Sequence, residues 1–447
     1  MNINNIKFTD VSNDTRTLKK GGVFVCTHGS GVDRHTLAME ADKKANYIVC
    51  ERYLDVKTPQ IIVPDANSAF AYLSAKQYDN PSQKFNLIGI TGTNGKTTTT
   101  YLLKSILEVA GQKVGLIGTN CIYIGSLKLP TQNTTPNSKT LQELFAKMAD
   151  SKCDTVIMEV SSHALALGRV DYTDFDLAGF TNLTQDHLDF HKNMQEYFQA
   201  KKRLFDMAKS CVFNIDDEWG VKLFDEYAGK TVSVNDFNNV KLQANKTSFE
   251  YKNKTINCKA VGRFNLQNIS LAIGLAEANG IDLDIIATGL ANFTPVSGRM
   301  EILDTSTPYT VIIDYAHTPD GIEKVLKTSR EFTKGRLISL FGCGGDRDRT
   351  KRPIMGKLAS ELSDLAIVTS DNPRTEDPIA IINEILTAVG ENKKVITDRR
   401  EAIKWALNNA KQDDVIVLCG KGHEDYQIIG TTKFHFDEHE IVKEILS

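Results

Sequence analysis

Three polar motifs toward the C-terminal end of the chain each follow directly on a short apolar run, and few folds place them so. The motifs are Gly342-Cys343-Gly344-Gly345-Asp346-Arg347, Asp371-Asn372-Pro373-Arg374 and Gly420-Lys421-Gly422-His423-Glu424. The runs before them, residues 337–341, 365–369 and 415–419, have the length and apolar continuity of strands buried on both faces. With further strands expected at 310–314 and 394–397 and helical stretches between, the pattern implies a compact doubly wound α/β sheet. Ligands of such sheets bind outside the carboxyl ends of the strands. The motifs should therefore converge on one crevice holding both cations and carboxylates, a combination suited to a zwitterion.

A second signal lies far upstream. Residues 86–91 read as a strand running into Gly92-Thr93-Asn94-Gly95-Lys96-Thr97-Thr98, followed by a helix from 96 to about 110. Glycines let backbone N–H groups face phosphate oxygens, and the helix start adds the positive end of its dipole. Lys96 can reach the outer phosphates, and the Thr97 hydroxyl can ligate Mg²⁺. The general phosphate-loop pattern wants a Gly where Ile90 stands, so the match is to a shorter variant. An amino-acid-like crevice and a separate nucleotide loop together point to an ATP-driven ligase.

Length and composition set the frame. At 447 residues, about three domains are expected. Boundaries are expected at 1–84, 85–296 and 297–447, with 80–83 as a linker and a β-rich insertion near 230–260. Lys+Arg total 53 and Asp+Glu 56, a net charge of -3, which argues against nucleic acid as the main partner. The eight cysteines are scattered without a CxxC pair, as in a reducing compartment. The N-terminal residues lack a signal-peptide core, and no apolar run has membrane-spanning length, so a cytoplasmic protein without membrane insertion is expected.

Several further residues carry chemistry or plain structure. Glu159 ends the strand expected over 155–160 and stands where a metal-holding carboxylate would, or is a structural group; Ser161-Ser162-His163 follow it. His187 and His191 would share a face on a helix; a single histidine near Mg²⁺ fits better than zinc, and a capped helix start is the plainer alternative. Asp314 and His317 end another strand and could orient a nucleophile or γ-phosphate, while Thr318-Pro319 caps a helix. The cluster Arg347, Arg349, Lys351, Arg352 handles anions or is a solvated loop.

Taken together these motifs resemble the Mur ligase family, ATP-dependent amino-acid ligases of peptidoglycan precursor synthesis, and within it the type that adds the third peptide residue. The resemblance spans nearly the whole chain in consistent order. It implies an α/β protein of three domains: a UDP-substrate domain, a central P-loop-type ATPase domain with a mostly parallel sheet, and a C-terminal Rossmann-like domain. It implies ATP contacts at Gly92–Thr98, Asn265, Asn268 and Arg299, and catalytic roles for Lys96, Lys201, Glu159, His187, Asp314 and His317. Metal contacts would come from Thr97, Glu159, His187 and Lys201, the last as a carbamate. Thr15, Ser30, Asn133, Thr134, Thr135, Ser161 and Arg169 would hold the UDP-sugar peptide. Arg347, Asp371, Asn372, Pro373, Arg374, Gly420 and Glu424 would hold the incoming amino acid.

The implied reaction joins meso-diaminopimelate to UDP-N-acetylmuramoyl-L-alanyl-D-glutamate through an acyl phosphate, with Mg²⁺ and ATP, in a monomer. In the family, Asp-Asn-Pro-Arg marks diaminopimelate over L-lysine. The chemistry agrees: Arg374 offers a planar fork for the distal carboxylate, and Glu424 can receive an ammonium. Two departures stand out: Leu167 where relatives often carry a polar residue, and Asp14-Thr15-Arg16 for the more usual Asp-Ser-Arg. The competing expectations are the same ligase acting on L-lysine, a folylpolyglutamate synthetase, and a non-catalytic scaffold of a wall-synthesis complex.

Overall fold

The computed structural model describes residues 3–29, 31–227, 231–232, 237–243 and 246–447. Three largely parallel sheets organise the chain. The first joins Val11–Ser12, Val23–Val25, Tyr47–Cys50 and Gln60–Ile62, all in parallel register, with the helix Ala66–Gln77 packed on it. Asp65 caps that helix by accepting from Asn67 N and Ser68 N.

The central sheet has eight strands. Spatially they run Leu127–Leu129, Ile122–Ile124, Val114–Ile117, Thr155–Glu159, Asn86–Thr91, Phe175–Phe180, Ala208–Phe213 and Thr231–Val232. The first two are antiparallel and the rest parallel. Asn86–Thr91 lies in the middle, with Glu159 beside Ile90 on one flank and Phe180 beside Thr91 on the other. Whatever follows Thr91 is therefore bracketed by the ends of two neighbouring strands. The helices Lys96–Val109 and Arg263–Ala278 cover one face through Leu102, Leu103, Ile106, Ile269 and Ile273. The small antiparallel sheet Asn238–Leu242, Thr247–Tyr251, Lys254–Cys258 joins that core through Phe249 and Ile256.

The third sheet runs Glu301–Leu303, Thr310–Asp314, Val415–Cys419, Leu337–Phe341, Leu365–Val368, Lys393–Val395, parallel after its first strand. The motif-bearing strands 415–419, 337–341 and 365–368 are adjacent, so their polar ends emerge side by side, as the alternating pattern implies.

The linker expected at 80–83 takes a definite form: Pro81–Lys84 is a 3₁₀ turn whose Pro81 and Ser82 are buried, with Ser82 Oγ donating to Asp174. Proline at the first position presets the turn. One expectation changes. Residues 186–193 do not form a helix. His187 has φ 54°, and only a single turn, His191 N to His187 O at 2.9 Å, joins the two histidines.

Behind the strand Val415–Cys419, Arg399 and Glu438 are both fully buried. Arg399 Nε donates to Glu438 Oε1 and Nη2 to the Cys419 carbonyl, each at 2.8 Å. Removing one partner of such a pair strands a buried charge. Glu438→Ala is expected to cost about 3–5 kcal/mol in chemical denaturation. An Arg399→Met, Glu438→Leu double variant should lose far less; equal losses would mean that charge pairing is not what matters here.

Candidate active site

The phosphate loop is built by its neighbours. Gly92 has φ 146° and Gly95 φ 89°, both left-handed, and a Cβ would fall 1.7 Å from Thr181 Oγ1 at the first and 2.2 Å from Asn268 Oδ1 at the second. Thr93 N donates to the Asn182 carbonyl at 2.8 Å, and Asn94 N to Asn182 Oδ1 at 3.0 Å. The helix Lys96–Val109 starts without a side-chain cap, which leaves its first N–H groups turned toward the cleft.

Two lysines end at one atom. Lys96 Nζ donates to the Gly92 carbonyl at 2.8 Å and Lys201 Nζ to the same carbonyl at 2.7 Å. Burial lowers the affinity of both for a proton; for Lys201 the neighbouring Lys96 adds to the effect, and its pKa falls well below the usual lysine range. Lys201 comes from the helix Met194–Met207, one turn after Tyr197, whose ring lies 4.5 Å from the ammonium.

Opposite stands Glu159, fully buried. Its Oε2 accepts from Thr97 Oγ1 at 3.0 Å and Thr119 Oγ1 at 2.9 Å, and its Oε1 from Thr119 N at 2.8 Å. Thr134 Oγ1 lies 3.0 Å from Thr119 Oγ1. Oxygen donors grouped around one carboxylate match a hard cation such as Mg²⁺. Asn265 and Asn268 line the same cleft, linked by Asn268 Nδ2 to Asn265 Oδ1 at 2.8 Å. Thr98 and Ser161 line it too, and Arg299 reaches Thr97 Oγ1 at 3.3 Å.

Asp314 and His317 also face this cleft, but Asp314 is occupied with the backbone: it accepts from Met300 N and Ala316 N, each at 2.7 Å. His317 Nδ1 donates to the Tyr315 carbonyl at 2.8 Å, which turns Nε2 toward Asp186, 3.9 Å away. Asp186 is a residue that motif reading passed over. It is nearly enclosed, and burial would raise its pKa, but His187, Lys351 and His317 hold it well below the usual carboxylate range. His187 itself is pushed down to about 3, chiefly by burial.

A second cleft joins the first and central sheets. Asn133 and Arg169 line it, while Thr135 lies just behind, taking Arg169 Nη1 on its carbonyl at 3.2 Å and donating to the Glu159 carbonyl. Thr15 is buried and does not line this cleft, and Ser30 lies outside the described residues. Asn13, Thr27, His28, Arg34 and Asn67 line it instead. They carry no motif of their own, and only the fold gathers them. Leu167 is on the wall, so the departure noted in sequence alters this cleft's surface directly.

In the third sheet the motifs meet. Asn372 Nδ2 donates to Glu424 Oε2 at 2.9 Å, and Arg374 Nη1 to the Gly345 carbonyl at 2.8 Å. Arg374 has φ 52°; its N–H goes to the Ile428 carbonyl, and its own carbonyl accepts from Gly430 N, so the hairpin Tyr426–Ile429, Thr432–His435 fixes it. Asp371 is buried under Gly420, with Lys421 and Arg399 outweighing the burial that would raise its pKa. The basic cluster divides. Arg352 is fully buried between Glu376 and Glu384, Arg349 pairs with Glu384, and Lys351 faces Asp186. Those three face protein carboxylates, so anion handling does not extend to the whole cluster; Arg347 is exposed near Arg374.

Comparisons with known proteins agree with this geometry. Residues 90–276 match the Mur ligase middle domain and residues 298–422 the Mur ligase glutamate ligase domain. A UDP-N-acetylmuramoyl-L-alanyl-D-glutamate--2,6-diaminopimelate ligase of Clostridium botulinum is 48% identical, covering 97% of this chain and 94% of its own. A ligase of the same name from Clostridium acetobutylicum is 46% identical over 99% of this chain and 95% of its own. A solved structure of a ligase of that name superposes with a TM-score of 0.66 at 29% identity, covering 98% of this chain and 94% of that one.

The histidines give a pH test. His187 and His423, each lowered to about 3 by burial first, should stay neutral in nitrogen-15 NMR from pH 5 to 8. His439 is raised to about 9, mainly by Glu301, whose Oε2 lies 2.8 Å from its Nε2. Its folded pKa exceeds the unfolded one, so its contribution is complete below the unfolded value and is lost as pH rises through about 9. Solvent screening at this half-exposed pair keeps that contribution to about 1 kcal/mol. A His439 signal titrating near the free-imidazole value would refute the pairing.

Proposed function

The chain belongs to the Mur ligase family, and from that premise we propose how its residues divide one reaction. It is an ATP-dependent ligase that adds meso-diaminopimelate to UDP-N-acetylmuramoyl-L-alanyl-D-glutamate. The carrying observation is the crevice in which Arg374, fixed by the hairpin, stands with Asn372 and Glu424. Residues 1–84 with part of the central unit hold the UDP-sugar peptide, 85–296 the nucleotide, and 297–447 the amino acid.

Lys96, the loop N–H groups, Arg299, Asn265 and Asn268 receive the ATP phosphates and nucleoside. The D-glutamate γ-carboxylate attacks the γ-phosphorus, the bond to the β–γ bridging oxygen breaks, and ADP leaves an acyl phosphate. Thr97 and Glu159 would hold Mg²⁺, since their oxygens form a hard donor set, and neutral His187 lines the same cleft without adding charge. Bound there, Mg²⁺ supplies charge neutralisation on the phosphoryl oxygens.

Lys201 suits a carbamate. Burial and the neighbouring Lys96 shift its amine toward the neutral form, the one that adds CO₂. As an anion it would pair with Lys96 instead of competing with it. The diaminopimelate amine, presented from the C-terminal crevice with its distal carboxylate on Arg374, attacks the acyl carbon. The tetrahedral intermediate expels phosphate, and the amine loses its proton. L-Lysine would leave the Arg374 guanidinium without a carboxylate partner, which disfavours it.

ADP formation with the UDP-sugar dipeptide and Mg²⁺ should be strong with meso-diaminopimelate and weak with L-lysine, and Arg374→Ala should abolish that preference. Preference for lysine would overturn the role of Arg374, and no turnover with either would overturn the substrate class. Lys201→Ala should lose at least about 100-fold in kcat, on the scale of a lost electrostatic stabiliser, and recover in part with short carboxylic acids. Full unrescued activity would remove Lys201 from the site.

A further inference from the structure

Lys421 sits behind the amino-acid crevice with its side chain fully buried. Its ammonium lies 3.1 Å from Asn372 Oδ1 and 3.1 Å from Glu424 Oε2. Asn372 closes the triangle by donating Nδ2 to that same Oε2 at 2.9 Å, while its Oδ1 also accepts from Ile428 N at 2.9 Å. The rings of Tyr426 and Phe436 stand 5.7 and 5.9 Å from the ammonium, an apolar cover that strengthens its electrostatics.

The two oxygens of Glu424 are thereby made unequal. Oε2 is saturated by a lysine and an amide. Among the described residues Oε1 has only the hydroxyls of Tyr315 and Tyr426, each at 3.4 Å, weak contacts by length. A carboxylate free to turn about its last bond offers either oxygen in many directions; a pinned one offers a single oxygen along one line. An α-amino-acid centre presents an ammonium and a carboxylate at fixed separation, so the line matters for which stereocentre fits.

We propose that Lys421 is a positioning residue for amino-acid recognition, locking Asn372 and Glu424 into one unit that presents Glu424 Oε1 to the substrate ammonium. It never meets the crevice itself, so it acts through these two side chains that bond it, with Asp371 close enough to feel its charge. The inference rests on the reading that this crevice holds diaminopimelate.

The test is steady-state kinetics on the full chain with Lys421→Met and Lys421→Gln. KM for meso-diaminopimelate should rise at least tenfold in Lys421→Met and less in Lys421→Gln, which keeps a donor for Oε2. KM for ATP and for the UDP-sugar dipeptide should not move, and discrimination against LL-diaminopimelate should shrink. In a Glu424→Gln background, Lys421→Met should add little further, because its route to substrate is already cut. A lysine that merely fills the core would lower the active fraction, seen in kcat, with KM and stereoselectivity unchanged. That outcome, additivity with Glu424→Gln, or aggregation of both variants overturns the proposal. If the wild type itself fails to use meso-diaminopimelate, the substrate reading has failed first; if it turns over normally and the variants keep its KM, only the role of Lys421 has failed.

Discussion

Two ammonium groups share one carbonyl oxygen at the heart of the molecule, and much of the surrounding structure is arranged around that conflict. Lys96 and Lys201 both end on Gly92 O, with Lys201 buried and Lys96 half-buried. Like charges about 4 Å apart repel by about 4 kcal/mol at an effective dielectric near 20. Keeping both lysines there is sustainable only if one is neutral, or if an anion separates them. Both remedies are chemically meaningful: a neutral Lys201 is a carbamate precursor, and the anion is a phosphate. The charge of Glu159 offsets part of this cost for Lys96, but its oxygens are held by Thr97 and Thr119 and bond neither lysine. Those same oxygens instead mark a place for a cation, so the cleft separates where positive and negative charge must arrive.

The C-terminal crevice uses the opposite device. Its arginines are numerous in sequence, yet most are consumed by structure: Arg352 between Glu376 and Glu384, Arg399 on Glu438. What remains toward solvent is Arg374, with Arg347 near it, and their mutual repulsion adds to burial in lowering the Arg374 pKa. Two guanidiniums held together without a carboxylate partner between them favour a ligand that brings one. Glu424 then supplies the complementary pole. Buried ion pairs of the first kind are spent inside the fold, and the charges of the second kind are left for a ligand.

Much of this was legible from residues alone because strand and motif coincide. The strands 86–91, 310–314, 337–341 and 415–419 begin and end where the apolar runs do, and the motifs after them lie at adjacent strand ends. The loop glycines imply a backbone open to phosphate, and the structure gives Gly92 and Gly95 the positive φ of such a turn. What failed to show was anything set by distant partners. The His187–His191 spacing fits a helix, but Asp186 and the packed rings of His163 and Tyr197 hold that stretch as a turn. The arginine cluster has the same composition whether its charges face ligand or carboxylate; Glu376 and Glu384, 24 and 32 residues away from Arg352, decide it. The second cleft's Asn13, Thr27 and Asn67 belong to no pattern and become a site only when the first sheet meets the central one.

Asp186 shows why the two charged sites depend on each other. It is enclosed beside the phosphate loop, and the Lys351 ammonium at 3.8 Å and the His317 ring at 3.9 Å both reach it from the C-terminal unit. Gln185 reaches Thr350 at 3.2 Å, Asn94 reaches Asp320 at 2.7 Å, and Arg299 reaches Thr97 at 3.3 Å. Polar contacts between the central and C-terminal units thus gather around the loop itself. A carboxylate buried without its cations carries a penalty of several kcal/mol, so Asp186 rewards the arrangement in which the C-terminal unit is seated. The crevice with Arg374 and Glu424 rides on that same unit. On the proposed reading, seating the C-terminal unit both completes the charges around Asp186 and brings the Arg374–Glu424 crevice to the phosphate cleft, as attack of a bound amine on an acyl phosphate would require.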